Sequence, residues 1–80
     1  MFYSYILKSL KDGGYYYGST SQPEERLKSH NHGKVCSTKG RRPLIIHYQE
    51  GYETKKEAIQ RENYFKSIDG YNYLKSKHII

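Results

Sequence analysis

The chain has 80 residues, of which 35% are hydrophobic, ten are tyrosine and one is cysteine. That length predicts a single domain over residues 1–80 with one small core. No apolar run is long enough to span a bilayer or act as a signal peptide, and the lone Cys36 offers no disulfide framework, so a cytoplasmic setting is expected. Fourteen Lys and Arg against eight Asp and Glu give a net charge of +6, which favours a polyanionic partner over a merely soluble basic surface.

Residues 2–8 (FYSYILK) and 14–19 (GYYYGS) are rich in Tyr and Ile and flank Lys11-Asp12-Gly13-Gly14, the pattern of a β-hairpin. Alternation puts Tyr3 and Tyr5 on one face of the first strand, with Ser4 and Ile6 on the other; on the second strand Tyr16 opposes Tyr15 and Tyr17. Ser21-Gln22-Pro23-Glu24 fits a capping box, with a short helix through about His30. Residues 31–43 lack periodicity and read as a basic loop. Leu44 to Tyr48 makes a third strand after a proline stop. Thr54-Lys55-Lys56-Glu57 is a second capping box, opening a helix that Asp69-Gly70 ends, and Tyr71 to His78 fits a last helix. The order β-β-α-β-α-α predicts an α+β fold, a three-stranded, mainly antiparallel sheet flanked by about three helices.

Several polar residues fit that scheme poorly. On the helix carrying Ala58, Ile59 and Phe65, Glu62 falls roughly 40° from Ala58, in the middle of the face expected to be buried. An unpaired buried carboxylate is costly. Either the helix is rotated enough to expose it, or it must be protonated, paired with Arg26 or another basic side chain, or bound to a cation; a single hard carboxylate suits Mg²⁺, which keeps several waters. Arg26 and His30, four apart, share a helix face. They either form a solvated basic surface or grip a phosphate together. Most of the tyrosines are packing residues, and one working as a base would need a nearby cation to lower its pKa from about 10. Lys34, Lys39, Arg41 and Arg42 form a basic run that is either a solvated loop or a set of backbone-phosphate contacts. Cys36 lacks an orienting partner for thiol chemistry, and His30-Asn31-His32 is too sparse for zinc.

Taken in order, these residues resemble the GIY-YIG nuclease superfamily, specifically its small stand-alone members, over nearly the whole chain. Tyr3-Ser4-Tyr5 stands where the first signature falls and keeps only its tyrosine. Tyr16-Tyr17-Gly18 matches the second, with ten residues between Tyr5 and Tyr16. Arg26 and His30 fall on the family's helical arginine and the histidine one turn later, Glu62 on its metal-binding glutamate, and Ser37 to Leu44 on the loop before the third strand. The glycine of the first signature is absent, and Ser19 stands where some relatives carry lysine. Ser19 and Asn72 are further site candidates. The resemblance implies a metal-dependent DNA endonuclease in which Glu62 holds Mg²⁺ or Mn²⁺. By the same implication Tyr5 and Tyr16 orient or activate water and phosphate, Arg26 with His30 stabilises the transition state, and cleavage leaves 5′-phosphate and 3′-hydroxyl ends. Its substrate is expected to be structure- or single-strand-directed. A nucleic-acid-binding module with negligible turnover is the alternative.

Overall fold

Ten tyrosines in so short a chain are accommodated by burying the central strand on both faces. The computed structural model describes all 80 residues. β1 (Phe2–Ser9) and β2 (Tyr15–Thr20) form the expected hairpin, and β3 (Leu44–Tyr52) pairs with the other edge of β1. The sheet is antiparallel throughout, in the order β2-β1-β3. At the hairpin tip Gly13 takes a φ of 73°, and Asp12 Oδ1 accepts from the Gly14 N–H at 2.7 Å, so the Asp-Gly-Gly run supplies the turn chemistry its composition implied.

Alternation along β1 divides the core. Tyr5 and Leu7 point to one face, where they pack with Leu44, Tyr16, Ile46 and Leu27 of helix α1 (Pro23–Asn31). Ile6 points to the other, against Phe65 of α3 (Lys55–Phe65) and Leu74 of α4 (Ile68–Ser76), with Tyr15, Tyr17, Tyr48, Tyr64 and Tyr73 around them. Ser4, on that second face, is fully buried and donates to the Ala58 carbonyl of α3 at 2.6 Å. The fold class and element order are as expected, and Tyr16 opposes Tyr15 and Tyr17 as the hairpin reading required.

Local departures have physical causes. The segment 31–43 contains a one-turn helix, α2 (Cys36–Lys39), whose Thr38 is buried against α1. Ser21 caps nothing: Pro23 at the start of α1 makes Gln22 the N-cap, with no side-chain bond, while Thr20 Oγ1 accepts from the Gln22 N–H at 3.1 Å. Thr54 does cap α3, accepting from the Glu57 N–H at 3.2 Å. β3 continues past Tyr48 to Tyr52 because Tyr48, Glu50 and Tyr52 keep alternating inward toward α3. Ile59, assigned to the buried face, is 38% exposed, whereas Ala58 and Phe65 are buried. Asp69-Gly70 does not end α3. It lies in the first turn of α4, where Ser67 accepts from the Gly70 N–H, and Gly70 packs directly on the Tyr64 carbonyl with no room for a Cβ.

Candidate active site at the free edge of β2

The register pairs Tyr5 of the central strand with Gly18 of edge strand β2. The Tyr5 ring crosses β2 over this glycine: its Oη and Cζ occupy the space a Gly18 side chain would need. The glycine of the second signature is thus a steric requirement of the tyrosine of the first. Tyr16, two residues back on the same face of β2, flanks it. Arg26 projects from α1, and its guanidinium lies near both phenols; the proximity of Tyr5 is the main reason its pKa is raised further.

Burial pushes the Tyr5 phenol above its ordinary value of 10, although Arg26 pulls the other way. Tyr5 therefore stands protonated across the neutral range.

Glu62 reaches this group from α3, round the same sheet edge. Ser19 Oγ donates to Oε1 at 2.7 Å, and Lys66 Nζ donates to Oε2 at 2.7 Å. The Glu62 side chain is 18% exposed and that of Lys66 50%, and Glu62 lies close enough to Tyr5 for its negative charge to bear on the phenol. The ionic partner of Glu62 is thus Lys66, one turn along α3, and not Arg26. The donor set fits a hard divalent ion, which needs only one or two protein carboxylates: one carboxylate, a hydroxyl beside it, and an ammonium that is half-exposed. Nothing here assembles three or more His, Cys, Asp or Glu side chains of the kind that would make a protein-saturated metal cage.

His30 is fully buried. Its Nδ1 is paired with Thr38 Oγ1 at 2.7 Å, its ring meets those of Tyr16 and Tyr5 edge-on at 4.9 and 6.4 Å, and Nε2 has no partner. Burial, followed by the charge of Arg26, lowers its pKa. A neutral, enclosed imidazole is placed to support the two tyrosines and does not reach a phosphate at the surface.

The basic loop residues divide. Lys34 and Lys39 are exposed. Arg41 is tied to Asp12 at 3.3 Å and to the Tyr15 carbonyl, whereas Arg42 donates only to the Lys39 carbonyl, at 2.8 Å. Asn72 is exposed on α4 and joined to the Tyr5–Glu62 group by no hydrogen bond. Two contributors were missed from the sequence. Lys66 was signalled by its i, i+4 spacing from Glu62; Thr38, inside an aperiodic loop, gave no signal.

A strand tyrosine lying over a glycine, a second tyrosine, a helical arginine and a glutamate from a later helix define a class of site, and a family model for the GIY-YIG catalytic domain matches residues 1–72. The chain belongs to the GIY-YIG family. It is similar to the UPF0213 protein of Bacillus licheniformis, 44% identical over 79 residues that span 94% of this chain and 80% of that one. A UPF0213 protein of Staphylococcus haemolyticus is 42% identical over 91% of this chain and 89% of its own length. The solution NMR structure of a UPF0213 protein from Bacillus halodurans superposes with a TM-score of 0.53 at 35% identity, covering 95% of this chain and 84% of that one.

Proposed function

We propose that this protein is a metal-dependent endonuclease that hydrolyses phosphodiester bonds in DNA to 5′-phosphate and 3′-hydroxyl ends. The observation that carries the reading is the convergence of Tyr5, Tyr16, Arg26 and Glu62 at one sheet edge. No helix of the chain is long and apolar enough to cross a membrane.

Glu62 is the residue to hold Mg²⁺ or Mn²⁺, once Lys66 releases Oε2. The bound ion would supply Lewis-acid polarisation of the scissile phosphate. The remaining roles belong to the chain itself. Ser19 fixes one Glu62 oxygen and so the direction of the carboxylate. Arg26, already charged and aimed by two phenols, stabilises negative charge as it builds on the phosphate. Tyr5, protonated, donates to a phosphate oxygen or aims the attacking water, and Tyr16 orients the same group. His30 acts as a positioning residue, fixing the rings of Tyr5 and Tyr16 from beneath. A single-stranded or branched substrate is the form proposed for the site.

The ion pair between Lys66 and Glu62 favours a second reading, in which the glutamate is satisfied within the protein and the chain binds nucleic acid without cutting it. One assay separates the two: labelled single-stranded, duplex and branched DNA incubated with wild type and Glu62→Gln in Mg²⁺, Mn²⁺ or EDTA. The nuclease reading expects metal-dependent cutting, reduced about 10²-fold or more in the variant at an unchanged melting midpoint. Undiminished cutting by Glu62→Gln sinks it; retardation of DNA without cutting under every condition supports the binding module.

A further inference from the structure

The hairpin tip and the segment between α1 and β3 border an open depression of about 500 Å³ lined by Lys11, Asn31, Lys39, Gly40, Arg42 and Pro43, with no acidic residue among them. Two of its cations are held in place by neutral groups. Lys11 Nζ donates to the Gly40 carbonyl at 3.1 Å, and Arg42 Nε to the Lys39 carbonyl at 2.8 Å. The Arg42 guanidinium also lies over Gly33, whose φ of 76° and missing side chain make room for it. Ordering a long basic side chain ordinarily uses a carboxylate that cancels its charge. Here the charges are positioned and left uncancelled, while the adjacent Arg41 is neutralised by Asp12. Ordered, unpaired cations around a polar hollow are the arrangement that receives a phosphate.

We propose that this depression is a second phosphate-binding subsite, in which Lys11, Lys39 and Arg42 take a backbone phosphate of a nucleic acid strand that also contacts the Tyr5–Glu62 group. The assignment deepens the nuclease reading and rests on it for the identity of the strand. It brings in Lys11 and leaves out Lys34 and Arg41. The hollow lies at the C-terminal end of α1, roughly 8 Å along the helix from Arg26 at 1.5 Å per residue. Lys11 lies in the turn just beyond Ser9, the last residue of β1, which is roughly 13 Å along the strand from Tyr5 at 3.3 Å per residue. A phosphate a few nucleotides from the scissile one therefore falls within reach. The contact is to backbone and carries no base preference.

The test compares the charge-reversal pair K11E/R42E with K55E/K56E, which changes net charge equally on the exposed start of α3, and with K11Q/K39Q, which leaves Arg42 packed on Gly33. Binding of labelled oligothymidylates of about 20 and about three nucleotides is followed by fluorescence anisotropy in EDTA across a salt series, with circular dichroism confirming the fold. The expected result is affinity for the longer strand at least about tenfold lower in K11E/R42E than in K55E/K56E. Its log–log salt slope should be shallower by about 0.7 per lost phosphate contact, K11Q/K39Q should fall between, and the three-nucleotide probe should be unaffected. Equal losses in the two reversal pairs, or equal effects on both probe lengths, overturn the subsite. Because binding is read without metal or turnover, a protein that never cuts DNA leaves this test intact and fails only the nuclease reading.

Discussion

Where the Tyr5 ring crosses β2, a single methyl group would collide with its phenol. Gly18 is kept for this space and not for backbone freedom, since its φ is not positive. Gly18→Ala should therefore force the buried ring aside, costing roughly 1–3 kcal/mol, and lower cleavage about tenfold or more because Tyr5 leaves Arg26. Thermal unfolding and a nicking assay check it together. An alanine variant as stable and as active as wild type would mean that the phenol does not need this path. The same scale explains why His30 is a poor phosphate contact despite its place one turn from Arg26. Its Nδ1 is committed to Thr38, and its ring is closed over by Tyr16 and Tyr5.

Between elements, the strongest polar contact outside the cleft joins β3 to α3. The Glu50 carboxylate accepts from Arg61 Nε at 2.8 Å and from the hydroxyls of Tyr48 and Tyr52. The Arg61 guanidinium stands 4.9 Å from the ring centres of Tyr64, Phe65 and Tyr73, each one. With side chains only 17% and 25% exposed, this pair fixes how α3 rotates on the sheet, and hence where Glu62, one residue after Arg61, emerges. Burial works against the Glu50 charge, but the hydrogen bonds from Arg61, Tyr48 and Tyr52 hold its pKa below the ordinary 4.5, while burial and the carboxylate push both tyrosines up to about 12. Glu50→Gln leaves the Arg61 charge without its acceptor and should cost roughly 1–3 kcal/mol. Chemical denaturation measures that cost. Cleavage should fall as well if helix rotation sets the cleft, whereas a Glu50→Gln protein of wild-type stability would reduce this strap to a surface contact.

For the molecule as a whole, net charge and buried titratable groups set the response to pH. His30 is buried and held neutral, first by burial and then by Arg26, with the Tyr5 and Tyr16 rings facing it; the other three histidines are exposed. A depressed histidine pKa means that the unfolded chain binds the proton more readily, so the contribution is complete above the ordinary 6.5 and is lost as pH falls below it. Stability should decline as pH falls below about 6.5 by at most about 1.4 kcal/mol per unit, before Glu50 adds its own loss below 4.5. His30→Gln should flatten the first of these slopes in urea titrations run at successive pH values. A slope unchanged by the substitution would show that another group carries it.

Much of this architecture is local in origin and was therefore legible in the chain. Tyr-rich alternation with an Asp-Gly-Gly turn dictates the hairpin and the Thr54–Glu57 cap dictates the start of α3, because periodicity and turn chemistry act within a few residues; the candidate site came instead from the resemblance that Tyr5, Tyr16, Gly18, Arg26, His30 and Glu62 bear, in that order, to the GIY-YIG pattern. What the sequence left open depends on contacts between distant segments. The seating of α4 on the end of α3 is set by Gly70 packing on the Tyr64 carbonyl, the hold on one Glu62 oxygen by Ser19, and the burial of His30 by a helical turn at Thr38. None of these partners follows from the residue itself. A side chain's protonation state and neighbours are fixed only when the sheet brings β2, α1 and α3 to one edge.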